Sequence, residues 1–153
     1  MKKWLLVLSL SMLLNAEEGL KKVVFDLKTG DTAVFEKTIL SGIAVHKAHY
    51  EGKLQELDVA VVIHGDAYKF FVKNLAASPY KNEKALIDAH DVLAKRISSA
   101  VENYQVHFIM CEATMKKLNI DQKNVYDFVT LTPNSTIGLI DKQNEGYAYI
   151  PVR

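Results

Sequence analysis

The spacing of apolar residues along the chain switches repeatedly between strand-like and helix-like patterns. Strand-like runs occupy residues 22–27, 59–64, 106–110, 126–131 and 147–150. Helical spacing occupies about 33–51, 83–103, 112–119 and 135–144, with a shorter amphipathic piece at 68–75. Strands that alternate with helices are typical of βαβ units. We therefore predict an α/β fold, a three-layer αβα sandwich on a mostly parallel sheet of about five strands. The pattern leaves the strand order open.

The apolar pattern also makes local predictions. The run 59–64 is almost continuously apolar, as in a central strand that is buried on both faces. In the first helix, His46 falls on the apolar stripe, which favours a histidine packed in the core. Gly52 follows that helix in the position that tolerates left-handed backbone. Pro151 is expected to stop the last strand. Tyr147 and Tyr149 should share one face of that strand, where they could line a subunit contact or pack under a helix.

The amino terminus has its own pattern. Lys2 and Lys3 precede an uncharged stretch, residues 4–14, which is followed by Asn15 and Ala16. This arrangement is typical of a secretory signal peptide, and the stretch is shorter than the roughly 20 residues that a membrane-spanning helix needs. We predict a signal peptide over 1–16 and one domain over 17–153. The expected location is the periplasm or another exported compartment, without stable membrane insertion after cleavage.

The composition of the chain excludes some classes of function. The chain has 153 residues, 49% of them hydrophobic and 24% charged, with a formal net charge of +1. This length suits one domain with a sizeable core, and the near-neutral charge predicts no nucleic-acid partner. No Gly-rich phosphate loop or Ser-His-Asp arrangement stands out, so we expect no cofactor.

The single cysteine is the best candidate for chemistry. Cys111 lies where the apolar run 106–110 stops and the helical pattern of 112–119 begins. Ligands of parallel α/β proteins gather at the carboxyl ends of strands, and a thiol in the first turn of a helix is favoured as the thiolate. The competing interpretation is a small buried core residue. A single cysteine cannot form an internal disulfide.

Other residues at predicted strand ends could share a pocket with Cys111. His64 and Gly65 close the second run, and Thr132 and Asn134 follow the fourth. Thr114 lies one turn along the helix that Cys111 begins. Each has an ordinary structural interpretation, such as helix capping by Asn134. A metal site formed by His64, Cys111 and another histidine is a third possibility, but no metal-ligand spacing motif supports one, and we predict none.

Three segments resemble the DsrE/DsrF-like family: VVIHGD at 61–66, VHFIMCEATM at 106–115 and IGLIDKQNEGYAYI at 137–150. The likeness covers nearly all of residues 21–152. Some members use a cysteine at the end of the third strand as a persulfide-carrying sulfur acceptor, and members assemble into homo- or hetero-oligomers. The resemblance implies that Cys111 is such an acceptor, that the protein is a homo-oligomer, and that another protein donates or accepts sulfur. The alternative is a non-catalytic module that binds a small molecule or a protein.

Overall fold

The computed structural model describes residues 19–153. The predicted signal peptide and the first two residues of the predicted domain therefore lie outside the described residues. The five strands are β1 Leu20–Leu27, β2 Glu56–Ile63, β3 His107–Cys111, β4 Thr130–Thr132 and β5 Ala148–Val152. The α-helices are α1 Thr32–Phe35, α2 Gly42–Glu51, α3 Lys84–Tyr104, α4 Glu112–Lys117 and α5 Ser135–Asn144. A π-helix, Glu36–Ser41, joins α1 to α2, and two 3-10 helices, Gly65–Phe71 and Leu75–Ala77, follow β2.

All five strands pair in parallel in the order β4-β3-β2-β1-β5. β2 is therefore the central strand, and residues 59–63 are completely buried, as predicted. Helices α2 and α3 cover one face over the larger apolar cluster, and α5 covers the other over a smaller cluster. The predicted α/β fold, a three-layer sandwich on a five-stranded parallel sheet, is confirmed.

The first predicted helix is continuous but changes its period in the middle. The π-helix has a wider turn than an α-helix, so it rotates the faces of the residues that follow. Ile43 stays buried, but the next core-facing position falls on Lys47, which is 6% exposed, and His46 is exposed. The prediction of a core histidine at position 46 was therefore wrong. Because Lys47 has a long aliphatic stem, it can pack there while its ammonium group reaches toward the surface.

One turn prediction and two strand predictions were also wrong. Gly52 has φ −61°, whereas the left-handed conformation falls on Leu54, with φ 58°. β5 passes through Pro151, which pairs with Asp26. Because β5 is an edge strand, the missing N–H of proline can face outward without breaking a ladder hydrogen bond. The fourth strand was predicted over residues 126–131, but the observed strand is Thr130–Thr132. Residues 126–129 form an irregular segment before it.

Candidate functional site

Cys111 is the last residue of β3 and the N-cap of α4. Its Sγ atom accepts a hydrogen bond from the Thr114 backbone N–H at 3.5 Å, and the Thr114 hydroxyl lies 3.5 Å from the same sulfur. A thiol in the N-cap position faces the free N–H groups of the first turn, where negative charge is favoured. The structure thus brings together Cys111 and Thr114, two of the residues predicted from the sequence.

Two further groups reach Cys111 from other elements. Tyr68, in the 3-10 helix after β2, is fully buried and donates its hydroxyl to the Cys111 carbonyl oxygen at 2.5 Å. The Ser135 backbone N–H, at the first turn of α5, also acts on the thiol. Burial raises the pKa of the Cys111 thiol, but hydrogen bonds from Thr114, Tyr68 and Ser135 outweigh it, so the pKa is lowered. The thiol is thus surrounded by donors that stabilise a thiolate.

Cys111 is also well enclosed. It is 3% exposed. Four surface cavities, of about 220 to 540 Å³, lie elsewhere on residues 19–153, and Cys111 and His64 are absent from their linings. At 3% exposure, a reagent reaches the thiol more easily when the surrounding segments open locally.

The other predicted pocket residues have separate contacts. Asn134 caps α5 by accepting from the Ile137 N–H at 3.0 Å. The hydroxyl of Thr132 donates to the Asn134 carbonyl oxygen at 3.3 Å, and Thr132 is 7% exposed. Thr132 pairs with Cys111 across β4 and β3, so it is a lateral neighbour of the thiol. Gly65 has φ +59° and carries the chain sharply away from the sheet after His64.

His64 is hydrogen-bonded to a residue that the sequence prediction missed. Its Nε2 atom is in very close contact with Oδ1 of Asp26, near the carboxyl end of β1. The hydroxyl of Tyr149 donates to Oδ2 of Asp26 at 2.6 Å, and the Arg153 guanidinium donates to the same oxygen at 3.0 Å. We call Asp26, His64, Tyr149 and Arg153 the Asp26 cluster.

Asp26 is ionised within this cluster. Burial raises the pKa of the carboxyl, but the hydrogen bonds from Tyr149, His64 and Arg153 outweigh burial, so its pKa lies below the usual value. The residue is 3% exposed. One signal could have identified it, because an acidic side chain inside the apolar run 23–27 has to be hydrogen-bonded when that run is buried. Its partners Tyr149 and Arg153 carried no comparable signal.

The five histidines do not form a metal site in the described part of the chain. Residues 19–153 contain no group of three or more His, Cys, Asp or Glu side chains arranged to hold a metal ion. His107 lies at the amino end of β3, with its Nε2 atom 3.7 Å from Oδ1 of Asp58. No helix within the same residues is both long and apolar enough to cross a bilayer.

The fold and the strand-end thiol define a class: a single-domain parallel αβα protein with a hydrogen-bonded cysteine at the carboxyl end of its third strand. The sequence matches the DsrE/DsrF-like family over residues 22–152, and the chain belongs to this family. The family resemblance predicted from the sequence is confirmed.

Two individual proteins add to this comparison. An uncharacterized protein of Aquifex aeolicus (strain VF5) is 29% identical over 152 residues, which are 99% of this chain. The alignment covers 64% of that relative, so this chain spans less than two thirds of its length. A protein of unknown function from Methanobacterium thermoautotrophicum, MTH1491, has a similar solved structure. The TM-score is 0.59 at 19% identity, over 86% of this chain and 98% of that one, which supports the shared fold.

Proposed function

We propose that this protein carries sulfur as a transient persulfide on Cys111. The observation that supports the proposal best is the hydrogen bonding of the sulfur: the Thr114 N–H donates to Sγ at 3.5 Å, and the Thr114 hydroxyl lies 3.5 Å from the same atom. The Ser135 N–H also acts on the thiol. A persulfide carrier needs a thiolate that can attack a sulfur donor, and these donors favour the thiolate. Family membership supports the proposal, because some DsrE/DsrF-like proteins carry sulfur on a cysteine at the end of the third strand, and Cys111 is the last residue of β3.

The proposed step is a sulfur exchange. The Cys111 thiolate attacks the terminal sulfur of a donor persulfide, R–S–SH. The S–S bond of the donor breaks as the new bond to Cys111 forms, and the donor leaves as the thiolate R–S⁻. No net oxidation occurs, because one S–S bond replaces another. The persulfide then passes to an acceptor thiol by the same reaction.

Export and self-association complete the proposal. We propose that residues 1–16 direct the chain to an exported compartment, that the mature protein is a homo-oligomer, and that a second protein supplies or receives the sulfur. Amino-terminal sequencing of the protein recovered from the exported fraction should begin near Glu17. An intact Met1 in that fraction would contradict cleavage.

The decisive experiment measures mass. Incubation of the reduced protein with a low-molecular-weight persulfide should add about 32 Da per sulfur atom to the intact chain. The addition should disappear after treatment with a reductant and should be absent from Cys111→Ser. Wild-type protein that stays unmodified at a donor excess, while its unfolded form takes up sulfur, would refute the proposal.

The burial of Cys111 supports a second candidate function, a non-catalytic binding module on the same fold. At 3% exposure the thiol meets a partner only when the protein opens locally. Very slow alkylation of the native protein, together with rapid alkylation after unfolding, would favour this candidate. Alkylation of the native protein that is slower than that of the unfolded chain, but still fast enough to indicate frequent local opening, would favour the sulfur carrier.

A further inference from the structure

The hydroxyl of Tyr68 is bonded to the backbone of Cys111. It donates to the Cys111 carbonyl oxygen at 2.5 Å, although the two residues are 43 positions apart in the chain. Tyr68 is completely buried, at 0% exposure. A buried phenol hydroxyl needs a hydrogen-bond partner, and its partner here is the peptide group in which β3 ends and α4 begins.

This peptide group determines the direction of the thiol. As the N-cap of α4, Cys111 has extended backbone angles, with φ −72° and ψ 113°. With such angles an N-cap side chain can meet the free N–H of the third helical residue, which is Thr114. The Sγ atom accordingly lies 3.5 Å from the Thr114 N–H. A rotation of the peptide group after Cys111 would move this N–H away from the sulfur.

The position of the Tyr68 hydroxyl is itself fixed by the fold. Gly65, with φ +59°, turns the chain after β2 into the 3-10 helix that carries Tyr68. The ring belongs to the larger apolar cluster, and close packing holds it in place. Burial also raises the pKa of Tyr68 well above its usual range, so the hydroxyl keeps its proton and remains a donor.

From these contacts we infer that Tyr68 is a positioning residue for the proposed sulfur exchange, because its hydroxyl fixes the Cys111 peptide group and so keeps the sulfur on the Thr114 N–H. The inference rests on the proposed sulfur chemistry and deepens it. Tyr68 forms no bond to the sulfur donor and transfers no proton, since it acts through the Cys111 backbone. The hydrogen bond from Tyr68 also lowers the pKa of the Cys111 thiol, which is the direction that this role requires.

The groups that reach the thiol from neighbouring elements are uncharged. Besides Tyr68, they are Thr132 on β4, which pairs with Cys111, and the Ser135 N–H at the start of α5. None of these groups titrates near neutral pH. The ionisation of Cys111 therefore depends on hydrogen bonds and on burial.

Two pairs of titratable residues lie close to the thiol in the chain or across the sheet. Glu112 follows the cysteine and is paired with Lys116 at 2.9 Å. His64, which follows β2, is bonded to Asp26. Removal of one phenol hydroxyl leaves both pairs in place, so a changed titration of the thiol would report the loss of that hydroxyl.

The test measures the ionisation of the thiol, which needs no sulfur donor. Cys111 is the only cysteine of the chain, so the ultraviolet absorbance of its thiolate can be followed from pH 5.5 to 9.5, with Cys111→Ser as the blank. Tyr68→Phe keeps the ring and removes the hydroxyl. The pKa of Cys111 should rise by about 0.5 in this variant, which makes the thiolate about threefold less abundant at neutral pH. A folded Tyr68→Phe protein with the wild-type midpoint would overturn the inference.

Tyr126→Phe is the matched control. The hydroxyl oxygen of Tyr126 is also buried, but it has no hydrogen-bond partner within residues 19–153. This variant should therefore keep the wild-type midpoint. Equal rises in the two variants would show that the loss of any buried phenol hydroxyl is sufficient, and would overturn a specific role of Tyr68.

A second measurement holds if Tyr68→Phe fails to fold. The coupling between two groups is reciprocal, so the ring of Tyr68 should respond when Cys111 ionises. In NMR spectra of the wild type, the Tyr68 ring resonances should shift with the midpoint of the thiol. They should not shift over that pH range in Cys111→Ser. Wild-type Tyr68 resonances that stay constant while the thiol titrates would overturn the inference.

The two proposals can fail separately. A persulfide adduct on the wild type, together with an unchanged thiol midpoint in Tyr68→Phe, refutes the role of Tyr68 and leaves the sulfur carrier standing. A raised midpoint in Tyr68→Phe without any persulfide adduct on the wild type refutes the sulfur carrier, while the control of thiol ionisation by Tyr68 stands.

Discussion

The hydroxyl of Tyr149 donates a hydrogen bond to Oδ2 of Asp26 at 2.6 Å. These residues are 123 positions apart in the chain. Their contact links the edge strand β5 to β1 near the carboxyl end of β1. Because Asp26 also contacts His64, the residue directly after β2, one carboxylate connects β5 and β1 to the end of β2.

Replacing Asp26 should weaken the fold in a pH-dependent way. The pKa of Asp26 is lower in the folded protein than in the unfolded chain, so its stabilising effect is present above the unfolded value, near 3.9, and is lost as pH falls through the folded value. Asp26→Asn should lower the free energy of unfolding at pH 7 by about 3 kcal/mol, because it leaves buried donors imperfectly matched. Urea denaturation at several pH values measures this. An equal loss at pH 7 and pH 2.5 would contradict the explanation.

Removing only the Tyr149 hydroxyl should have a smaller effect. Tyr149→Phe keeps the ring and deletes one hydrogen bond to a charged acceptor, so we expect a loss of about 1.5 kcal/mol in urea denaturation at pH 7. Tyr104→Phe, on α3 and remote from Asp26, is the matched control. Equal stability losses in the two variants would count against a specific Tyr149–Asp26 contact.

The Thr114 hydroxyl should control the reactivity of Cys111. Thr114→Val keeps the shape of the side chain but removes the hydroxyl that lies 3.5 Å from the sulfur, so the pKa of Cys111 should rise. Alkylation at pH 7 should slow about threefold to tenfold, since the rate follows the thiolate fraction. Thr114→Ser keeps the hydroxyl and should stay close to the wild type. If the valine and serine variants react equally fast, the hydroxyl does not stabilise the thiolate.

The turn at Gly65 should be intolerant of a side chain. Gly65 has φ +59°, and a Cβ atom there would lie 2.7 Å from Cγ of Lys28 and 3.0 Å from its carbonyl oxygen. Gly65→Ala should lower the melting temperature by several degrees, for a loss of about 2 kcal/mol. Gly146→Ala is the matched control, since Gly146 has φ +90° but nothing within 4 Å of its Cβ position. Gly146→Ala therefore measures the cost of the backbone conformation alone. Its loss of unfolding free energy should be smaller than that of Gly65→Ala.

The first helix shows where local patterns stop being sufficient. Apolar spacing predicted a helix over 33–51, and residues 32–51 are helical throughout. The pattern could not reveal the π-helix, because a wider turn in the middle leaves the apolar spacing on either side unchanged. It therefore assigned the core position to His46 in place of Lys47. Single-residue burial beyond such a turn depends on tertiary packing.

The residues of the candidate site also fall into two groups, those that local sequence predicted and those that only the tertiary structure shows. Local sequence placed Cys111 at the end of a strand and the start of a helix, because an apolar run of strand length gives way there to helical spacing. It also gave Thr114 as a neighbour, since residues three apart meet at a helix start. Tyr68 and Ser135 reach Cys111 from other elements, and no local pattern relates them to it.

Periodicity and one cysteine were thus enough to determine the layers, the parallel sheet and the place of the thiol, because each depends on residues close together in the chain. Strand order depends instead on contacts between distant segments. Only the tertiary structure, which places β1 between β2 and β5, brings Asp26 to His64 on one side and to Tyr149 and Arg153 on the other. Pairing between strands more than 100 residues apart is decided by the packing of the whole core. The spacing of apolar residues within one segment does not predict it.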